Sequence, residues 1–383
     1  MRLSISSTII GATAISFALL TRVGAQQLFS PVGVYRQGVS YGPIAFVGEY
    51  GAVRMTTSDG CWIASTTDGG RGWAEPVRVA CGLDSSELAV SSTRWYWSSG
   101  SSLVYAPLKG GREHRIAIPF IERSSGEVWK VCSFAVFGPE IFAALGASCL
   151  SLSIEMVRSV DDGLRWNRVA GLPARWLGSS SSGAIVMDSA NAGAVVGWAT
   201  GRAGSHSFTS DPVVAITRDA GATWSSAKLP CRKGPNDRGW VEAIVAAHDR
   251  DLVALCEGPS EEDLTGTEVV SSDDGGRSWF NRCGNGVLVY RYGRCPLGQP
   301  ISLVELDNGV TVIAANSNGP ADLDASSNSG VDWHSIRLSD LPFAQVSGSA
   351  AIAWALAYGV NGGVLESSRN GLTWRRSSLP TRS

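Results

Sequence analysis

One short pattern recurs along the chain: a hydroxyl residue, an acid two residues on, a glycine two further, and a tryptophan three beyond that. Thr66-x-Asp68-x-Gly70-x-x-Trp73, Ser159-x-Asp161-x-Gly163-x-x-Trp166, Thr217-x-Asp219-x-Gly221-x-x-Trp224 and Ser272-x-Asp274-x-Gly276-x-x-Trp279 carry it in full. Two looser copies follow, Ser326-x-Asn328-x-Gly330-x-x-Trp333 and Ser367-x-Arg369-x-Gly371-x-x-Trp374. Such regular recurrence marks a repeat architecture, with one copy per supersecondary unit. The acid positions are spaced by 93, 58, 55, 54 and 41 residues. The first interval is nearly double the next, so a unit lacking the pattern is expected inside it. "RWYWSSGSSLVYAPLKGG" (Arg94–Gly111) reads as two strands about a Ser/Gly turn and fills that gap.

The residue types describe a turn. An Asp carboxylate accepts hydrogen bonds from nearby backbone N–H groups, and a hydroxyl two residues earlier joins the same network. Glycine supplies a positive φ that other residues resist. The tryptophan opens the next strand and lays its apolar face over the hairpin. This is a self-contained turn and does not gather six carboxylates at one centre. Around it, "DPVVAITRDAGATWSSAKLP" reads as strand, pattern and strand, and "GWVEAIVAAHDRDLVALCEG" adds two short β-like runs before the copy at 274. Without helical periodicity, the expected fold is all-β: one seven-bladed β-propeller of four-stranded antiparallel blades over residues 26–383.

Residues 1–25 are set apart from that repeat. A basic start, an apolar run from Ile9 to Leu20 and Val23-Gly24-Ala25 read as a secretory signal peptide cleaved after Ala25. The protein is then expected outside the cytoplasm, in an oxidising compartment, with no membrane span in the mature chain. Eight cysteines, at 61, 81, 132, 149, 231, 256, 283 and 295, suit disulfides there. Cys61 and Cys81 lie symmetrically about residue 71, near the centre of the first turn, and are expected to pair across its hairpin. Cys283–Cys295 follows by proximity; Cys132–Cys149 and Cys231–Cys256 follow by elimination. With no Cys-x-x-Cys and four separated histidines, neither a metal nor another cofactor is expected. The net charge of −2 supplies no basic field for nucleic acid.

These motifs resemble the Asp-box, or bacterial neuraminidase repeat, of the sialidase superfamily, over nearly the whole mature chain. The resemblance implies boxes joining the third and fourth strands of each blade, on the side away from the active site. Asp68, Asp161, Asp219, Asp274 and Asn328, with Trp73, Trp166, Trp224, Trp279, Trp333 and Trp374, would then be scaffold. A sialidase would also need three arginines to clamp a carboxylate, a tyrosine nucleophile with a glutamate partner, and an acid/base aspartate. The family's Phe/Tyr-Arg-Ile/Leu-Pro motif is missing before the first box, where "VYRQG" and "AVRMT" offer only Arg36 and Arg54. In the two units resembling the other arginine carriers, Cys256 and Asn316 or Asn318 occupy the corresponding places. "AGAVVGWATG" followed by "VVAITRDAGATW" also resembles the repeat of the photosystem II assembly propellers.

The remaining candidate is "VYRYGRCP" (Val289–Pro296), which groups Tyr290, Arg291, Tyr292 and Arg294. Amphipathic aromatics beside arginines suit contacts with a glycan or a protein. Glu242 stands where a nucleophile-activating glutamate could sit, and Glu49, Asp188 and Asp307 are further candidates for a central acid. The expected function is a secreted, monomeric, non-catalytic propeller binding a glycan or an extracellular protein. The alternative is a glycoside hydrolase of exo-sialidase or polysaccharide-degrading type.

Overall fold

The computed structural model describes residues 39–81, 88–119, 128–146, 154–170, 176–178, 185–187, 193–199, 212–231, 241–246, 252–257, 267–283, 299–316, 322–328, 332–338, 341, 343–349, 351–359 and 362–380. Short strands dominate, and they assemble in chain order into antiparallel sheets. The first sheet is β1 (Ser40–Val47), β2 (Tyr50–Thr57), β3 (Gly60–Thr66) and β4 (Val77–Val79). The second is β5 (Leu88–Val90), β6 (Arg94–Ser99), β7 (Ser102–Pro107) and β8 (His114–Ile116), within which the Arg94–Gly111 stretch forms the expected hairpin. The third is β9 (Lys130–Phe137), β10 (Glu140–Gly146), β11 (Ile154–Ser159) and β12 (Asn167–Arg168). Next come β13 (Trp176–Gly178), β14 (Ile185–Met187), β15 (Gly193–Ala199), β16 (Pro212–Thr217) and β17 (Ser225–Lys228). Then follow β18 (Val241–Ala246), β19 (Leu252–Glu257), β20 (Thr267–Ser272) and β21 (Phe280–Cys283). The last two sheets are β22 (Gln299–Glu305), β23 (Thr311–Asn316), β24 (Asp322–Ser326) and β25 (His334–Arg337), then β26 (Phe343–Ser349), β27 (Ile352–Gly359), β28 (Gly362–Ser368) and β29 (Arg375–Ser377).

The result is an all-β propeller whose blades are antiparallel and four-stranded, with one correction. Among the described residues six sheets have four strands and the sheet of β13–β17 has five. Its first-strand place is shared by two short pieces, because β13 pairs with Gly197–Ala199 of β15 and β14 with Gly193–Val195.

Second and third strands read as near-continuous buried runs, as in Ile141–Gly146 of β10, since sheets pack against both of their faces. Fourth strands such as β17 are largely exposed. First strands of successive sheets contact one another, and β26 returns to β1. That junction is closed by side chains. The backbone N–H groups of Ile44 and Phe46 in β1, and of Gly48 beyond it, donate to Gln345 Oε1, Ser347 Oγ and Ser349 Oγ at 3.2, 3.0 and 3.0 Å. Alternate residues of β26 thus satisfy donors that a free strand edge would leave open.

Two described disulfides staple this framework, Cys61–Cys81 and Cys231–Cys256. The first differs in detail from a cross-hairpin pair. Cys61 is paired in register with Val79, so Cys81 reaches it from two residues further on, with Cα atoms 5.4 Å apart. Cys149 and Cys295 lie outside the described residues, and with them the pairings Cys132–Cys149 and Cys283–Cys295. The 1–25 segment lies outside them too.

Candidate functional site

The repeated turns join third to fourth strands, at Thr66–Trp73 between β3 and β4 and likewise in later sheets. The four full copies share one hydroxyl–acid–glycine network. In the third-to-fourth turn of β16–β17, Thr217 Oγ1 donates to Asp219 Oδ1 at 2.9 Å and accepts the Gly221 N–H at 2.7 Å. Asp219 Oδ1 accepts the Thr223 N–H at 2.8 Å. Trp224 Nε1 then donates to the Gly221 carbonyl at 3.1 Å, and Trp166 and Trp279 do the same to Gly163 and Gly276. Asn328 replaces the acid without loss of form: its Oδ1 accepts from Ser326 Oγ and from the Asp332 N–H.

The last copy is registered differently from its sequence reading. Ser368 Oγ, not Ser367, donates to Asn370 Oδ1 at 3.1 Å. Asn370, not Arg369, accepts the Leu372 and Thr373 N–H groups. Spacing from Gly371 and Trp374 misplaces the acceptor because this turn is one residue tighter than the others. Arg369 instead points to Glu49, 3.7 Å away.

Nor are the turns self-contained. Each tryptophan packs into the seam with the preceding sheet: Trp166 among Ile116, Ile118 and Ile141, Trp279 among Val214 and Ile216, and Trp374 against Val310 and Val312. The second sheet lacks the pattern, and Trp95 and Trp97 of β6, both fully buried, fill its seam with the first sheet. The pattern is therefore a joint between neighbouring sheets.

Hydrogen bonding holds the four turn carboxyls below the ordinary range. For Asp68 the chief cause is the Gly72 N–H, for Asp161 the Arg165 side chain, and for Asp219 and Asp274 the hydroxyls of Thr223 and Ser278. The unfolded chain binds protons that these folded turns refuse. Their stabilisation is thus present above the unfolded value, about pH 4, and is lost as pH falls through it towards the depressed folded values. Melting temperature should drop on acidification below about pH 4, and it should drop less in Asp274→Asn. Parallel melting curves for the two proteins across that window would refute the assignment.

Several candidates sit at this turn end. The Glu49 carbonyl accepts the Gly69 N–H, and its carboxylate lies 3.5 Å from Arg71. Asp307 is exposed in the β22–β23 connection. That connection bonds to the last turn through Asn308 Nδ2 and the Asn370 carbonyl, 3.5 Å apart. Neither acid belongs to the opposite end of the sheets. Glu242 lies on β18 where its pairing with β19 is irregular, between Val241, opposite Cys256, and Ala243, opposite Leu255. Tyr290, Arg291, Tyr292 and Arg294 lie outside the described residues, as does Asp188. Among the described residues no three His, Cys, Asp or Glu side chains are grouped to hold a metal, and no helix is long and apolar enough to cross a membrane.

Sequence reading missed the buried charges. Arg54 of β2 is 9% exposed and stacks over Trp97 of the second sheet, 5.2 Å from its ring centre. Asp324 of β24 is 6% exposed; burial raises its pKa, offset in part by the Ser335 hydroxyl at 2.5 Å. Burial likewise raises Glu366, which Arg376 approaches to 3.6 Å, and pushes Tyr358 up to about 12. Arg158 and Glu140 form an ion pair of 2.8 Å between β11 and β10. The only signal available beforehand was a polar residue inside an otherwise apolar strand, as with Arg54 in "AVRMT".

No protein-family profile matches the chain, and no curated protein matches it. Among solved structures, the chain is similar to a puromycin-hydrolyzing peptidase of Mycobacterium tuberculosis: 12% identity over 92% of this chain and 56% of that one, with a TM-score of 0.55. The chain thus spans little more than half of that peptidase. YCF48 from Cyanidioschyzon merolae matches at 12% identity over 72% of this chain and 77% of that one, TM-score 0.47. The Hadza microbial sialidase Hz136 matches at 14% identity over 84% and 71%, TM-score 0.42. At 12% identity, the likeness to the peptidase speaks for the fold alone.

Proposed function

We propose that the chain is a secreted, monomeric Asp-box propeller that binds a glycan or an extracellular protein without chemical turnover. Binding is assigned to the end of the sheets opposite the repeated turns, through Tyr290, Arg291, Tyr292 and Arg294 of the segment joining β21 to β22, with Glu242 as a further contact. The observation that carries this reading is Cys256. It stands where the sialidase-like pattern requires a clamp arginine, is fully buried, and is bonded to Cys231. A carboxylate clamp depends on bidentate arginine pairing, and a buried half-cystine offers none. The acids Glu49 and Asp307 lie at the turn end, where Glu49 faces Arg71 and Arg369, away from the end assigned to binding.

The purified protein should release no sialic acid or other sugar from fluorogenic glycosides above background. On arrays of glycans and extracellular proteins it should bind at least one class of ligand, with Tyr292→Ala and Arg294→Ala each weakening that binding about tenfold or more, as removal of interface anchors does. Turnover on the order of 1–10³ per second would establish the hydrolase instead.

A further inference from the structure

We propose that Cys81 is a site of reversible S-thiolation by a low-molecular-weight thiol, with Cys61 as a leaving thiolate stabilised by Arg54. The two sulfurs of this disulfide live in opposite surroundings. Cys81 is exposed, just beyond the end of β4, whereas Cys61 on β3 is fully buried. Arg54, Thr56 and Cys61 share one face of the first sheet, because Thr56 is opposite Cys61 in register and Arg54 is two residues back along β2. The Arg54 guanidinium accordingly donates through Nη2 to Cys61 Sγ at 3.3 Å, and Thr56 Oγ1 lies 3.8 Å from the same sulfur. The guanidinium is held there by Trp97 of the next sheet, over whose ring it stacks.

The chemistry follows from that asymmetry. An incoming thiolate reaches only Cys81 Sγ. As its sulfur bonds to Cys81, the Cys81–Cys61 bond breaks and its electron pair leaves on Cys61 Sγ as a thiolate. Exchange accelerates as the leaving thiol becomes more acidic, and a neighbouring arginine makes a thiol more acidic. The stabilised Cys61 thiolate is also a weaker nucleophile for the reverse attack, which slows reclosure of the bond. A second thiolate attacking the external sulfur of that adduct releases the symmetric small disulfide and leaves Cys81 as a thiolate. Cys231–Cys256 supplies an internal control, since both of its half-cystines are buried, at 8% and 0% exposure.

The test incubates the folded, oxidised protein with reduced glutathione as the probe, quenches with acid, alkylates in denaturant and maps the cysteines by mass spectrometry. Glutathione is expected on Cys81, the alkyl group on Cys61, and an intact Cys231–Cys256. Arg54→Met should slow adduct formation roughly tenfold, and Arg54→Lys should retain most of the rate. Glutathione on Cys61 would overturn the proposal, as would equal reaction at Cys231–Cys256, or an Arg54→Met rate within about twofold of the parent. Should Arg54→Met fail to fold, the Arg54→Lys rate and the choice of sulfur in the parent protein decide the matter.

Discussion

Gly276→Ala should destabilise the protein by about 2–5 kcal/mol, while Gly221→Ala, at the same place in the neighbouring turn, should cost only about 1–2 kcal/mol. Both glycines have left-handed backbone, with φ of 82° and 81°. Any Cβ carries a similar conformational cost there, about 1–2 kcal/mol. Space separates the two. A Cβ on Gly276 would lie 1.9 Å from Ile216 Cδ1 of the preceding sheet, whereas on Gly221 its nearest neighbour is Val169 Cγ1 at 3.3 Å. The difference is an overpacking term, typically about 1–3 kcal/mol. Urea unfolding midpoints of the two variants measure it directly. Equal costs would mean that Ile216 yields freely and that the turn is not wedged against its neighbour.

That pair also shows where sequence reasoning stops. Spacing and residue type identify glycine as the bearer of a positive φ, and the structure agrees at Gly70, Gly163, Gly221, Gly276 and Gly371. What lies across the seam is invisible to a pattern confined to eight residues, because Ile216 and Gly276 are sixty positions apart. The turns therefore read as self-contained when they are joints. The same limit explains Asn370: glycine and tryptophan keep their spacing while the turn ahead of the glycine loses one residue, so counting backwards from them lands on Arg369. The split of one first strand into β13 and β14 left no mark either, since "WLG" and "IVM" are too short to show a period.

The candidate site was less legible still, for a physical reason. Repeats advertise scaffold, because each unit must solve the same packing problem. A binding surface is made where the units differ, and a single copy of "VYRYGRCP" carries composition but no pattern. Arg54 illustrates the opposite failure. It stood out only as an arginine that failed to match a motif. Its actual environment comes from Cys61 on an adjacent strand and Trp97 on another sheet.

Trp166→Ala should be the most damaging change among the repeated turns, at about 3–5 kcal/mol, and Trp224→Ala should cost roughly half as much. The two indoles make the same bond to their own turn glycine, at 3.0 and 3.1 Å, so that bond cannot distinguish them. Burial does. Trp166 is 7% exposed and is enclosed by Ile116 of the second sheet, Ile118 just beyond it, and Ile141 and Val157 of its own sheet. Trp224 is half-buried against Phe142 and Met156 of the third sheet. Truncation removes apolar area in proportion to what was covered and leaves a cavity only where the surroundings are closed. Because both residues lie at the turn end, any loss of ligand binding in these variants should follow the fraction unfolded and vanish at temperatures where the variant is fully folded. Tyr292→Ala and Arg294→Ala should behave in the opposite way, weakening binding while leaving the melting temperature nearly unchanged. The discriminating measurement is binding of each variant below its own melting transition. A folded Trp166→Ala or Asp219→Ala protein that no longer binds would move the functional site to the turns themselves and leave the opposite end as the scaffold.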